Sequence, residues 1–186
     1  MALPRHGAER WGVEDHEVRA RYRCDEVLPD APGRWLRAVT VRSGPGPLYA
    51  WLCQLRVAPY SYDWLDNFGR RSPRSRQAWC EDLAVGQAVM TIFTLVGFRH
   101  GEELTVRMRE GRPRAVFGDV ALSYVVTPVA EGSRLVAAMR VTDPPGPAAG
   151  ARRRMLAWGD LLMMRKQLLT LRDLAEREER GARGAA

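Results

Sequence analysis

The sequence predicts an α+β protein, in which an antiparallel run of strands is covered by one long C-terminal helix. Two observations carry that expectation. Segments with period-two alternation follow one another through the middle of the chain, separated by short glycine-bearing turns, as hairpins are and βαβ units are not. From Arg152 to Arg180 the chain then reads as a single helix, with Ala157, Leu161, Met164, Leu168, Leu171 and Ala175 on one stripe. A stripe of that length needs an apolar surface to lie on, and the concave face of the sheet is the one available. At 186 residues the chain supports one well-cored domain. The expected division is a polar N-terminal arm over 1–30, one domain over 31–180 and a disordered tail over 181–186.

The elements follow in order. A short helix is expected around Val13 to Ala20, and Tyr22 to Leu28 reads as an edge strand. Pro29, Asp30, Pro32 and Gly33 break the chain before the first long strand. In that strand Trp35, Arg37, Val39 and Val41 share one face, and Leu36, Ala38, Thr40 and Arg42 share the other. Pro47 suits the first turn of a helix whose stripe is Leu48, Trp51, Leu52 and Leu55. Ser61 is placed to cap a second short helix ending at Gly69. Gln87 to Arg99 reads as one strand with two apolar faces, hence central or covered. Glu103 to Arg109 alternates with Leu104, Val106 and Met108 inward. Ala115 to Thr127 is a strand bent at Gly118, and Glu131-Gly132-Ser133 turns it into the return strand Arg134 to Thr142.

Composition excludes several function classes. No stretch approaches the roughly eighteen consecutive apolar residues of a membrane span, and the N-terminus lacks the apolar core of a secretory signal. A cytoplasmic location is expected. The net charge of +7 comes from basic residues that are all arginine except Lys166, as a GC-rich bacterial genome would encode them. The densest groups, Arg70, Arg71, Arg74 and Arg76, then Arg152 to Arg154, are not interleaved with aromatics, so they read as solvated charge rather than a nucleic-acid face. Cys24, Cys53 and Cys80 are odd in number and widely spaced, as buried or free thiols would be. No metal site or cofactor is expected, and the chain is expected to be a monomer or homodimer.

The strand-to-helix passage Thr40-Val41-Arg42-Ser43-Gly44-Pro45-Gly46-Pro47-Leu48-Tyr49-Ala50-Trp51-Leu52 resembles the opening of the START-like, or SRPBCC, superfamily. Gln54 to Arg76 and Trp158 to Leu168 resemble a bacterial, polyketide cyclase-like subgroup of it. The resemblance covers roughly residues 36–176 and implies the helix-grip fold, a curved antiparallel sheet wrapped around a long C-terminal helix with two short helices after the first strand. It further implies a cavity for a small apolar or aromatic ligand. The family has no invariant catalytic motif, so the resemblance transfers no catalytic residue.

Candidate site residues come from three places. Asp160 and Gln167 are seven apart on one face of the terminal helix, with Met163 and Met164 between them. They would orient a ligand at the rim of an apolar seam, or else Asp160 pairs with an arginine such as Arg107 and Gln167 caps a strand. Tyr60, Tyr62, Asp63 and Trp64 fall where the resemblance places the cavity entrance; hydroxyls and a carboxylate there would polarise a carbonyl or move a proton. Arg107 would stabilise an enolate if its strand face is concave, and is solvent charge if it is convex. Trp51, Thr91, Phe93, Phe117 and Tyr124 would line either cavity or core. The leading expectation is binding of a small hydrophobic molecule, a lipid or polyketide-like metabolite. The alternatives are a cofactor-independent cyclase or aromatase working through Tyr60, Tyr62, Asp63, Asp160 or Arg107, and an interaction protein that docks a partner.

Overall fold

A computed structural model describes residues 7–61 and 72–184 of the chain. Seven strands form one curved, unclosed sheet: β1 (Arg10–Trp11), β2 (Gly33–Val41), β3 (Ala88–Val89), β4 (Phe93–Arg99), β5 (Glu103–Met108), β6 (Val120–Val129) and β7 (Gly132–Val141). Their order is β1-β2-β7-β6-β5-β4-β3. Among the described residues only β1 runs parallel to its neighbour; the other pairings are antiparallel. The α-helices among the described residues are α1 (Asp15–Arg19), α2 (Arg23–Val27), α3 (Pro45–Cys53), α4 (Arg112–Phe117) and α5 (Ala149–Gly184).

The inner face of the sheet carries the main core. Trp35, Val39 and Val41 of β2 point into it, as do Leu104, Val106 and Met108 of β5. Helix α5 lies across that face, and all six residues of its expected stripe, Ala157 to Ala175, are buried there. Helix α3 packs against α5 and is buried on nearly every side. The antiparallel meander and the terminal helix are therefore as the alternation and the stripe indicate.

The N-terminal segment differs from its expected form. Tyr22 to Leu28 is not an edge strand. Arg23–Val27 is a helix, because Asp25 reaches back to accept the Tyr22 backbone N–H at 3.0 Å and holds the first turn. The edge position belongs to β1. Helices α1 and α2 lie on the outer face of the sheet, where Tyr22, Cys24, Leu36, Ala38, Ala121, Val136 and Ala138 form a second core.

Three further boundaries moved. The expected strand over 87–99 is broken after Val89, where Met90 and Thr91 take φ of 48° and 63°, values a pleated strand cannot hold. Its apolar positions are only partly covered, with Ala88 and Thr91 exposed. Val89 and Leu95 enter the main core, and Arg23 lies over the outer side at Gly97, so close that a Cβ there would meet its Nη1 at 2.8 Å. Residues 112–117 form α4 rather than strand, with Pro113 in the first turn and Gly118 (φ 80°) ending it. The terminal helix begins at Ala149 and continues through Gly184. The short helix expected from Ser61 to Gly69 lies, beyond Ser61, outside the described residues.

Candidate ligand site beneath the terminal helix

Strand register places Arg37, Ala137, Tyr124 and Leu104 side by side across β2, β7, β6 and β5 on the inner face. The small Ala137 separates the two large polar side chains. Helix α5 crosses above them and sets Asp160 against Arg37, and Met164 and Gln167 against Tyr124.

The Arg37 side chain is wholly buried. Its Nη1 donates to the Glu9 carbonyl at 2.7 Å and the Leu36 carbonyl at 3.0 Å. Its Nη2 donates to the Ala8 carbonyl at 2.7 Å and to Asp160 Oδ2 at 3.0 Å. Among the described residues Nε has no hydrogen-bond partner, and neither does the buried indole Nε1 of Trp35, two residues away on the same strand face. Desolvation lowers the Arg37 pKa, while the Asp160 charge and hydrogen bond oppose it. Desolvation likewise pushes the Asp160 carboxyl up to about 6, against the pull of Arg37. Although 23% of the Asp160 side chain is open to solvent, the protein around it is dense enough for burial to dominate. In both partners desolvation outweighs attraction, the usual balance of a buried ion pair.

A second polar group lies one row further in. The Tyr124 hydroxyl donates to Gln167 Oε1 at 2.5 Å, and Gln167 Nε2 donates to the Pro59 carbonyl at 2.6 Å. The thioethers of Met90 and Met164 stand 4.0 and 3.9 Å from that hydroxyl. Burial, then the Asp160 charge, drive the Tyr124 pKa far upward against the Gln167 bond, so this phenol stays neutral. Chemically, the row offers a carboxylate that exchanges a proton near neutral pH, buried N–H donors and polarisable sulfur on otherwise apolar walls.

The chain matches no protein-family model and none of the curated protein sequences. Solved structures do match. The di-domain aromatase/cyclase StfQ of the steffimycin biosynthetic pathway superposes with a TM-score of 0.52 at 15% identity, over 82% of this chain and 53% of that one. The chain has the helix-grip fold. It thus spans about half of StfQ's length. A polyketide cyclase-like protein from Corynebacterium glutamicum matches at TM-score 0.45 and 14% identity, over 78% of this chain and 92% of that one. Ara h 8.0201 matches at 0.46 and 7%, over 74% and 96%.

Within the helix-grip frame the expected site residues separate. Asp160, Gln167, Met164 and Tyr124 come together, as described. Met163 is only half-buried beside them. Trp51 is buried in α3, its indole N–H donating to Glu178 Oε2 at 2.8 Å, and Tyr60 meets it edge-on with ring centroids 6.2 Å apart. Phe93 is half-buried against the main core. Thr91 is exposed on the turn after β3, and Phe117 is exposed at the end of α4. Arg107 lies on the outer face, because Leu104, Val106 and Met108 take the inner one; it forms a two-pronged pair with Asp119 at 2.6 and 3.1 Å. The partner of Asp160 is accordingly Arg37 and not Arg107, and Gln167 binds a tyrosine and a loop carbonyl rather than capping a strand. Tyr62, Asp63 and Trp64 lie outside the described residues.

Trp35, Arg37 and Met90 are the residues of the candidate site that sequence reasoning missed, Trp35 having been read only as a strand residue. Arg37 had a signal: it is the one charged residue on the face shared by Trp35, Val39 and Val41. Met90 had none, since its approach to Gln167, 3.3 Å from Sδ to Nε2, depends on the break in the expected strand.

Cavities among the described residues lie elsewhere. One of about 300 Å³ adjoins Trp51, Arg76, Leu174 and Glu178; another, of about 590 Å³, lies on the outer face between α1, α2 and the β6–β7 hairpin. Neither is lined by Arg37, Tyr124, Asp160 or Gln167.

Proposed function

We propose that the chain binds a small hydrophobic or aromatic molecule beneath α5, with a carbonyl or hydroxyl oxygen directed at the β2 side of the site. The observation that carries this is the pair of unsatisfied donors, Trp35 Nε1 and Arg37 Nε, on an apolar inner face. A buried donor without an acceptor costs about 1–3 kcal/mol, and a ligand oxygen placed against either donor would relieve that cost. Apolar walls would add roughly 25 cal/mol for each Å² of ligand surface removed from water. The polyketide cyclase-like helix-grip structures support the class of ligand by analogy of fold.

Native mass spectrometry tests the reading. Chain purified from its own host should carry a stoichiometric apolar passenger. Retitration of the extracted passenger should be about tenfold weaker for Trp35→Phe, which removes one hydrogen bond and keeps the ring. A chain that is empty as purified, and that takes up no polyketide-like aromatic ketone, would overturn it.

A cofactor-independent cyclase is the second reading, and the Asp160 carboxyl at about 6 favours it. Asp160 would take the proton from carbon beside a ketone, and Arg37 would face the resulting enolate. Asp160→Asn should then keep binding and lose turnover by at least about a hundredfold. Equal turnover in the two proteins would leave binding alone.

A further inference from the structure

We propose that the outward face of the first half of α5 docks on an anionic membrane surface. Met155, Trp158 and Leu162 follow at steps of three and four residues and so share one helix face. They are 68, 46 and 52% exposed, whereas Ala157, Leu161, Met164 and Leu168, around the helix from them, are buried against the sheet. Three large apolar side chains in line on a surface helix form a patch, which scattered exposure does not.

Charge identifies what covers the patch. Between Ala149 and Leu171 the sole acid is Asp160, and it faces Arg37. The same stretch carries Arg152, Arg153, Arg154, Arg165 and Lys166. At about 100° per residue, Arg154 and Arg165 edge the apolar stripe on one side and Lys166 on the other. All three are exposed, and none has an acidic partner among the described residues; the Arg165 guanidinium lies over the Trp11 ring, 5.6 Å from its centroid. A tryptophan and two aliphatic side chains flanked by cations are the pattern of a helix lying in a bilayer interface, with apolar groups among the acyl chains and cations at anionic headgroups. A second copy of the chain would bring the same cations against their counterparts, whereas anionic lipid neutralises them. No described helix is long and apolar enough to cross a membrane, so the contact is peripheral. This surface lies apart from the ligand site and does not depend on it.

Flotation with lipid vesicles decides the matter. The chain should float with vesicles of equal parts phosphatidylcholine and phosphatidylglycerol, and should stay behind with phosphatidylcholine alone. Trp158→Glu and Leu162→Glu should each lower partitioning at least about tenfold, and Lys166→Ala about fivefold. Because these side chains are exposed, the denaturant midpoint of each variant should match the parent. Flotation that Trp158→Glu leaves unchanged would reduce the effect to the net charge of +7 and overturn the proposal. So would a dimer on sizing that Leu162→Glu splits, since the stripe would then be covered by a second copy.

Discussion

At the scale of single residues, Asp160 makes folding stability depend on pH in an uncommon direction. Its carboxyl titrates near 6 in the folded chain and near its ordinary 3.8 when unfolded, so the folded state holds the proton more tightly. The resulting stability is fully present below the unfolded value and is lost as pH rises through 6. The shift corresponds to about 2–3 kcal/mol at most. Urea midpoints of the parent and Asp160→Asn, compared from pH 4 to pH 7, should therefore diverge in favour of the variant by that order. A constant difference would mean that the carboxyl beside Arg37 is well solvated. Glu17 runs the other way. Burial raises its pKa, but hydrogen bonds from Arg134 and the Glu14 backbone, with the Arg134 charge, outweigh that and hold it below 4.5. Its contribution is present above the unfolded pKa and is lost as pH falls through the lower folded one.

At the scale of elements, local pattern and long-range pairing were unequally legible in the sequence. Helix α5 was readable because its six stripe positions repeat at helical spacing, and all six are buried. The strands β2 and β5 were readable from alternation, and β7 from the Glu131-Gly132-Ser133 turn before it. The attachment of α1 was not, because it rests on a pair 117 residues apart: Arg134 Nε and Nη2 donate to the two Glu17 oxygens at 2.7 and 2.8 Å. A bidentate pair of this kind leaves no periodic trace in either segment. Arg134→Met should cost about 2–3 kcal/mol, and Arg134→Lys should restore only part of it, because an ammonium cannot span both oxygens. Hydrogen exchange that accelerates across residues 13–31 and leaves α5 unchanged would locate the loss in α1 and α2. The break at Met90 and Thr91 was equally illegible, because the strand propensity of 87–99 favours continuity. Thr91 is β-branched, exposed and held at φ 63°, a conformation costing about 1–2 kcal/mol for a residue with a Cβ. Thr91→Gly should therefore stabilise the chain by about 1 kcal/mol, whereas in a regular strand it would weaken it by a similar amount. Urea denaturation separates the two signs.

At the scale of the molecule, the sheet is clasped from both sides by segments from opposite ends of the chain. The terminal helix covers the inner face. Residues 7–31 start on the inner side, where the Ala8 and Glu9 carbonyls accept from Arg37, pass the edge as β1, and cover the outer face with α1 and α2. The outer layer also satisfies buried polar groups. The Cys24 backbone N–H donates to Ser123 Oγ at 2.9 Å, whose hydroxyl lies 2.8 Å from that of Thr105, and Arg23 pairs with the buried Glu103. A chain beginning at Pro32 would expose Leu36, Ala38, Ala121, Val136 and Ala138 together and strip Arg37 of two carbonyl partners. We expect it to aggregate on sizing chromatography. Tyr22→Ala, a milder cut into the same layer, removes a buried ring and its hydrogen bond to the Glu17 carbonyl and should cost about 3–5 kcal/mol. A truncated chain that stays monomeric and keeps the parent's denaturant midpoint would make the N-terminal segment an appendage. Loss of both monomer and midpoint would make it a structural layer of this helix-grip protein, through which Arg37, and hence the site beneath α5, is held in place.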